Sequence, residues 1–159
     1  MIDKEFDFGT LPDKEVVLNW VHEPSIKKLM YKYKWPKKIA RQWFQDLMCW
    51  LYSAQRWKMV HKAAFNMDGM HYLDDVWHEY ILSTKDYFKM SRELFDIQYL
   101  HHNPENPYNR PEPNMDELVK QLEFLMEDWG EEYVDRVWAY GADLSDIHEQ
   151  EKETTLNSK

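Results

Sequence analysis

Residues 36–62, PKKIARQWFQDLMCWLYSAQRWKMVHK, decide the fold. Ile39, Trp43, Leu47, Trp50, Leu51 and Ala54 recur at steps of three and four, which lines them up on one stripe of a helix with 3.6 residues per turn. Pro36 suits the start, because a proline at the first helical position gives up no intrahelical hydrogen bond. So long an apolar stripe has to be covered, and the flanks carry the same period. Upstream, Val16, Val17, Trp20 and Val21 are followed by an interruption at Pro24-Ser25, and then by Ile26, Leu29, Met30 and Tyr33, so two short helices or one broken helix are expected. Downstream, Asp68-Gly69 marks a turn, after which Val76, Trp77, Tyr80, Ile81, Tyr87 and Met90 predict a helix over 73–94. Asn114 with Glu117 has the form of a capping box before Leu118, Leu122, Leu125, Met126 and Trp129, with Gly130 as the stop, and 131–140 predicts a last short helix. Nothing alternates with period two for long. The expected fold is all-α, a compact single-domain helical bundle of five or six helices over 1–144. A Pro-rich irregular connection is expected at 95–113 and a polar, disordered tail at 145–159.

Composition narrows the chemistry. A chain of 159 residues suits one core, and 43% apolar residues suffice to build it. A single cysteine, Cys49, in the apolar stretch DLMCWL, excludes an internal disulfide framework and any Cys-rich zinc module, and reads as a small core residue. Four glycines, never in a Gly-x-Gly pattern, exclude the phosphate-cradling loops of P-loop and dinucleotide-binding proteins. The N-terminus, MIDKEFDFGTLPDKE, has no apolar segment, and nowhere do about 18 apolar residues run together. A soluble cytoplasmic protein with no membrane association is expected.

Charge is segregated. Residues 27–41, KKLMYKYKWPKKIAR, hold six Lys and one Arg without an acid, whereas 112–151 hold thirteen acids against Lys120 and Arg136. Lysines interleaved with Tyr31, Tyr33 and Trp35 could form a nucleic-acid surface. The net charge of −9 argues against it, and so does helical spacing, which places rings 31 and 35 together on a core face with the lysines as its solvated side. An equally simple expectation is that the basic segment faces the acidic one, within the monomer or across a homodimer.

Seven histidines supply the remaining candidates. Asp74 and His78 in LDDVWH are four apart, so a helix points both from one face. His101 and His102 sit on the Pro-rich connection, which can fold back over that helix. Two or three imidazoles with a carboxylate match the donor set of catalytic zinc or non-haem iron, and such a site needs nothing from cysteine. Three plainer readings stand beside it: acids at a helix start serve capping and the helix dipole, His78 next to Trp77 serves as a core histidine, and His101-His102 before Asn103-Pro104 orders a turn.

The run LDDVWHEYILSTKDYFKMSRELFDIQYLHHNP resembles the signature of the helical domain family of glycine-rich domain-containing proteins, described from plants and with small stand-alone bacterial relatives. Asp74, Trp77, His78, Ile81, Leu82, Thr84, Tyr87, His101, His102 and Pro104 match its Asp-x-x-Trp-His, Thr-x-x-Tyr and His-His-x-Pro elements. The chain departs from the family where Ser91 stands near a frequent cysteine, and in having no glycine between 70 and 129. The resemblance implies a helical fold and a His-centred site. On this reading Asp74, His78, His101 and His102 hold a divalent metal, zinc or iron, for hydrolysis or oxygen chemistry, with Tyr87 reaching the same cleft as a hydrogen-bond donor or acid.

The alternative is a non-enzymatic acidic interaction module. Eighteen Trp and Tyr residues exceed what a core of this size readily buries, and such rings favour binding hot spots. The acids of 116–135, notably Glu127, Asp128, Glu131 and Glu132, would then act as a charge mimic for a basic, nucleic-acid-binding protein.

Overall fold

The computed structural model describes residues 9–63, 65, 71–101 and 114–138. Among these the chain is all-α, without a strand. The helices run in the order α1 (Lys14–Asn19), α2 (Glu23–Tyr33), α3 (Lys37–His61), α4 (His71–Leu82), α5 (Thr84–Phe95), α6 (Met115–Trp129) and α7 (Glu131–Val137). The 145–159 tail, the Asp68-Gly69 turn and most of the Pro-rich connection lie outside the described residues.

The central helix is the one the sequence announces. At 25 residues α3 extends about 37 Å, and α1, α2, α4 and α6 all pack on it. Its stripe is buried from Ile39 to Trp57, including Trp43, Phe44, Leu47, Trp50 and Leu51. Trp35 stacks between Tyr33 and Trp43, with ring centroids 4.3 and 6.2 Å away, and Trp50 meets Trp77 of α4 at 5.1 Å. Half of the sixteen described Trp and Tyr rings, namely Trp35, Trp43, Trp50, Trp57, Trp77, Tyr80, Tyr87 and Tyr133, are buried, and six more are partly so.

Two local features depart from the expected elements. The helix predicted over 73–94 is two helices, divided at Ser83. Ser83 leaves helical geometry (φ −87°, ψ 64°); its N–H donates to Tyr80 O while its carbonyl accepts from Tyr87 N, so one residue closes α4 and opens α5. Tyr80 and Tyr87 still meet edge to face at 5.4 Å, which is why the apolar period runs through the break unaltered. The second departure is at the end of α2. Lys34 takes a left-handed conformation (φ 58°) and stops the helix, so Trp35 lies beyond it and turns into the core, while Tyr31 stays on the helix and is 79% exposed. The two rings expected on one core face are thus split.

Glycine scarcity shows in the caps. Lys34, Lys62 and Asp96 end α2, α3 and α5 in the left-handed region that glycine usually occupies, at a cost of about 1–2 kcal/mol each. Gly9 is spent where no side chain fits: a Cβ there would lie 2.2 Å from Phe95 O, beside the Thr10 N–H that donates to the same carbonyl. Asn114 caps α6 as expected, its Oδ1 accepting from the N–H groups of Asp116 and Glu117.

Candidate functional site

Because α4 begins at His71, Asp74 falls in its first turn and His78 one turn further along the same face. Both are exposed, as is His101 beyond α5. His102 and the side chain of His71 lie outside the described residues. Among the described residues no three His, Cys, Asp or Glu side chains converge on a point where a metal could sit.

Tyr87 is only 1% exposed. Its hydroxyl accepts from Trp77 Nε1 at 2.8 Å and donates to Leu100 O at 2.6 Å, so it joins α4, α5 and the segment after α5. Burial pushes its phenol well above the ordinary value, and the group stays neutral. Ser91 completes the joint, donating to Tyr87 O at 2.9 Å and accepting from Leu100 N at 3.2 Å. Trp77, Tyr87 and the residue before His101 are therefore one interlocked unit, which gives much of the Trp-His to His-His run a packing role.

A constellation missed by sequence reasoning joins α2 to α5. Ser25 Oγ lies 2.7 Å from His22 Nδ1, and His22 Nε2 lies 2.8 Å from Asp86 Oδ2. The Ser25 backbone N–H also points at Nδ1, so Nδ1 accepts and the proton sits on Nε2, donated to Asp86. This is the hydrogen-bond order of a Ser-His-Asp triad, yet Ser25 is 0% exposed and inaccessible to a substrate. The imidazole caps α2 and fastens it to α5, and its hydrogen bond holds the Asp86 carboxyl below the usual range. Cys49 is likewise inert: burial, followed by the nearby Asp46 charge, raises its thiol well above the ordinary value.

Among the described residues of one chain, charge does not pair as the intramolecular form of the expectation has it. Among the described residues the basic segment makes Lys32–Glu79 and Lys37–Glu23 pairs at 3.6 Å each, neither of them with the acidic half. Two acids of α6, Glu127 and Asp128, are met instead by Lys14 and Arg56. Asp128 accepts from Ser53 Oγ at 2.7 Å and Arg56 Nε at 2.9 Å in a nearly buried position, and Glu127 lies 3.7 Å from Arg56. Of the four acids singled out for a charge mimic, Asp128 is thus a structural anchor, while Glu131 and Glu132 are exposed.

What the fold does gather is cationic. On α2, Lys27, Lys28 and Tyr31 share an exposed face at steps of three and four, and Lys34 Nζ stands 4.8 Å above the Tyr31 ring. This face borders a depression of about 380 Å³. A separate groove of about 440 Å³ lies between the α1–α2 link and the start of α3, where Lys37, Lys38 and Arg41 meet Leu18, Trp20 and Val21. Sequence reasoning saw these cations as one basic run. Their division into two sites depends on the Lys34 turn, for which no glycine gave a signal. No family model, curated protein or solved structure matches the chain.

Proposed function

We propose that the protein is a helical binding module that receives an acidic polypeptide segment on the basic face of α2. The observation that carries this reading is Tyr31, a ring 79% exposed among Lys27, Lys28 and Lys34 on a chain that packs most of its described rings inward. A tyrosine offers a large apolar area with a polar tip, the combination favoured at binding hot spots, and surrounding lysines steer an acidic partner and set its register. The Glu79 carboxylate that lines the same depression is paired with Lys32 at 3.6 Å, and a short acidic segment touches only this local patch, whereas a long polyanion runs on over a chain of net charge −9. The test is anisotropy of a labelled Glu/Asp-rich peptide, with a single-stranded oligonucleotide in parallel. The peptide is expected to bind more weakly as salt rises, and binding is expected to be lost in Lys27→Glu/Lys28→Glu and reduced in Tyr31→Ala. Undiminished binding by the charge-reversed protein, or tighter binding of the oligonucleotide, overturns the proposal.

The exposed Asp74–His78 pair favours a second reading, in which these two side chains and the His101-His102 pair hold zinc or iron. Protein purified without chelator then carries stoichiometric metal that His78→Ala loses. A metal-free protein of unchanged stability dismisses that reading.

A further inference from the structure

We infer that the groove between the α1–α2 link and the start of α3 is a binding site for a small amphipathic anion, an acidic head group on a short apolar body. It shares no residue with the α2 face above and stands independently of that reading.

The groove is two-sided. One wall is apolar, made by Leu18, Trp20 and Val21, and Trp20 is turned so that its indole N–H is already spent on Tyr80 Oη at 3.1 Å. What Trp20 offers the groove is ring surface. Gln45 donates to Leu18 O at 3.0 Å and pins the end of α1 to α3, so this wall is held in place. Gln42 donates to Gln45 Oε1 and to Asp46 Oδ1, which spends both of its amide hydrogens. Charge recognition in the groove then falls to the cations.

Those cations are poorly neutralised. Lys37 faces Glu23 at 3.6 Å with both side chains in solvent, a pairing that water and salt weaken. Lys38 and Arg41 are exposed, and among the described residues neither has a carboxylate within 4 Å. The Asp46 carboxylate nearby is buried and engaged by Arg136, so it does not cancel them. The first turn of α3 carries no acid. A guanidinium one turn beyond a lysine pair, across a groove from an indole, matches an anionic head group beside an apolar body: Arg41 can offer two parallel N–H donors to one carboxylate or phosphate, with Lys38 as a second point charge. A volume of about 440 Å³ falls within the range of small-ligand sites.

Calorimetric titration of the full chain with decanoate, decyl phosphate, decanol and acetate tests this. Decanoate or decyl phosphate is expected to bind saturably, the tighter of the two identifying the head group, while decanol and acetate bind at least about tenfold more weakly because each keeps half of the recognition. Lys38→Glu/Arg41→Glu and, separately, Leu18→Glu are expected to abolish binding with the melting temperature unchanged, since all three positions are exposed. Decanol binding as tightly as decanoate, wild-type affinity in the Lys38→Glu/Arg41→Glu protein, or no heat from either anionic amphiphile at millimolar concentration overturns the inference. The comparison of ligands on the wild-type chain decides the matter even if a variant fails to fold.

Discussion

Arg136→Met is expected to lower the free energy of unfolding by about 3–5 kcal/mol, the loss typical of a buried ion pair stripped of one partner. The pair is geometrically tight: Arg136 Nε and Nη2 reach the two oxygens of Asp46 at 2.8 and 2.7 Å, and the Asp46 side chain is 1% exposed. Gln42 donates to the same carboxylate at 2.8 Å, and Tyr133 donates to Asp46 O at 2.6 Å. Through these bonds the seven residues of α7, too few to be stable alone, are fixed to the middle of α3. Burial pushes the Asp46 carboxyl upward, and Arg136 and Gln42 pull it back. Without the guanidinium the folded-state value rises further above the unfolded value of about 3.9. The folded variant then binds its proton more tightly than the unfolded chain does. The extra penalty is therefore absent below that unfolded value and grows as the pH rises toward the raised folded one. Urea unfolding at about pH 4 and pH 7 should show a small gap between variant and wild type at the lower pH and the full gap at the higher. Adding Asp46→Leu should restore much of the loss at neutral pH, because the uncompensated charge is gone. A gap independent of pH would instead assign it to the packing of Arg136 against the Tyr133 ring, 5.7 Å away.

Local periodicity made the helices legible, and tertiary geometry decided where they yielded. The stripe on α3 needed no partner to be recognised, since its burial follows from spacing alone. Ser83 escaped because one non-helical residue leaves Tyr80 and Tyr87 facing the same core. The fates of Tyr31 and Trp35 turned on a left-handed Lys34, a conformation that composition does not advertise. At the candidate sites the same division holds. The shared face of Asp74 and His78 was readable because an i, i+4 relation is local. The His22–Asp86 contact and the Leu18–Gln45 closure of the groove span 64 and 27 residues, and no sequence pattern links their ends. Tyr87 carried two incompatible signals, a place on the core stripe and a place in a histidine-rich motif, and the structure puts it in the core.

Tyr87→Phe is expected to cost about 2–5 kcal/mol, because it removes a buried hydroxyl that both accepts from the Trp77 N–H and donates to the Leu100 carbonyl. The ring's packing against Tyr80 is kept, so the loss reports on the hydroxyl itself. This separates the two roles open to Tyr87. A group acting as an acid on a substrate would lose activity at unchanged stability, whereas a strut loses stability and, with it, the fixed position of Leu100 beside His101. Amide exchange at Leu100, whose N–H is held by Ser91 Oγ at 3.2 Å, should accelerate in Tyr87→Phe and again in Ser91→Ala. Trp77→Phe removes the donor on the other side of the hydroxyl. If the three groups act as one joint, Trp77→Phe with Tyr87→Phe should cost less than the sum of the single losses, since both changes remove the same hydrogen bond. A Tyr87→Phe protein within about 0.5 kcal/mol of wild type would refute the strut. Any metal affinity that the variant lost would then have to come from the hydroxyl directly, because the His101 segment would still be in place.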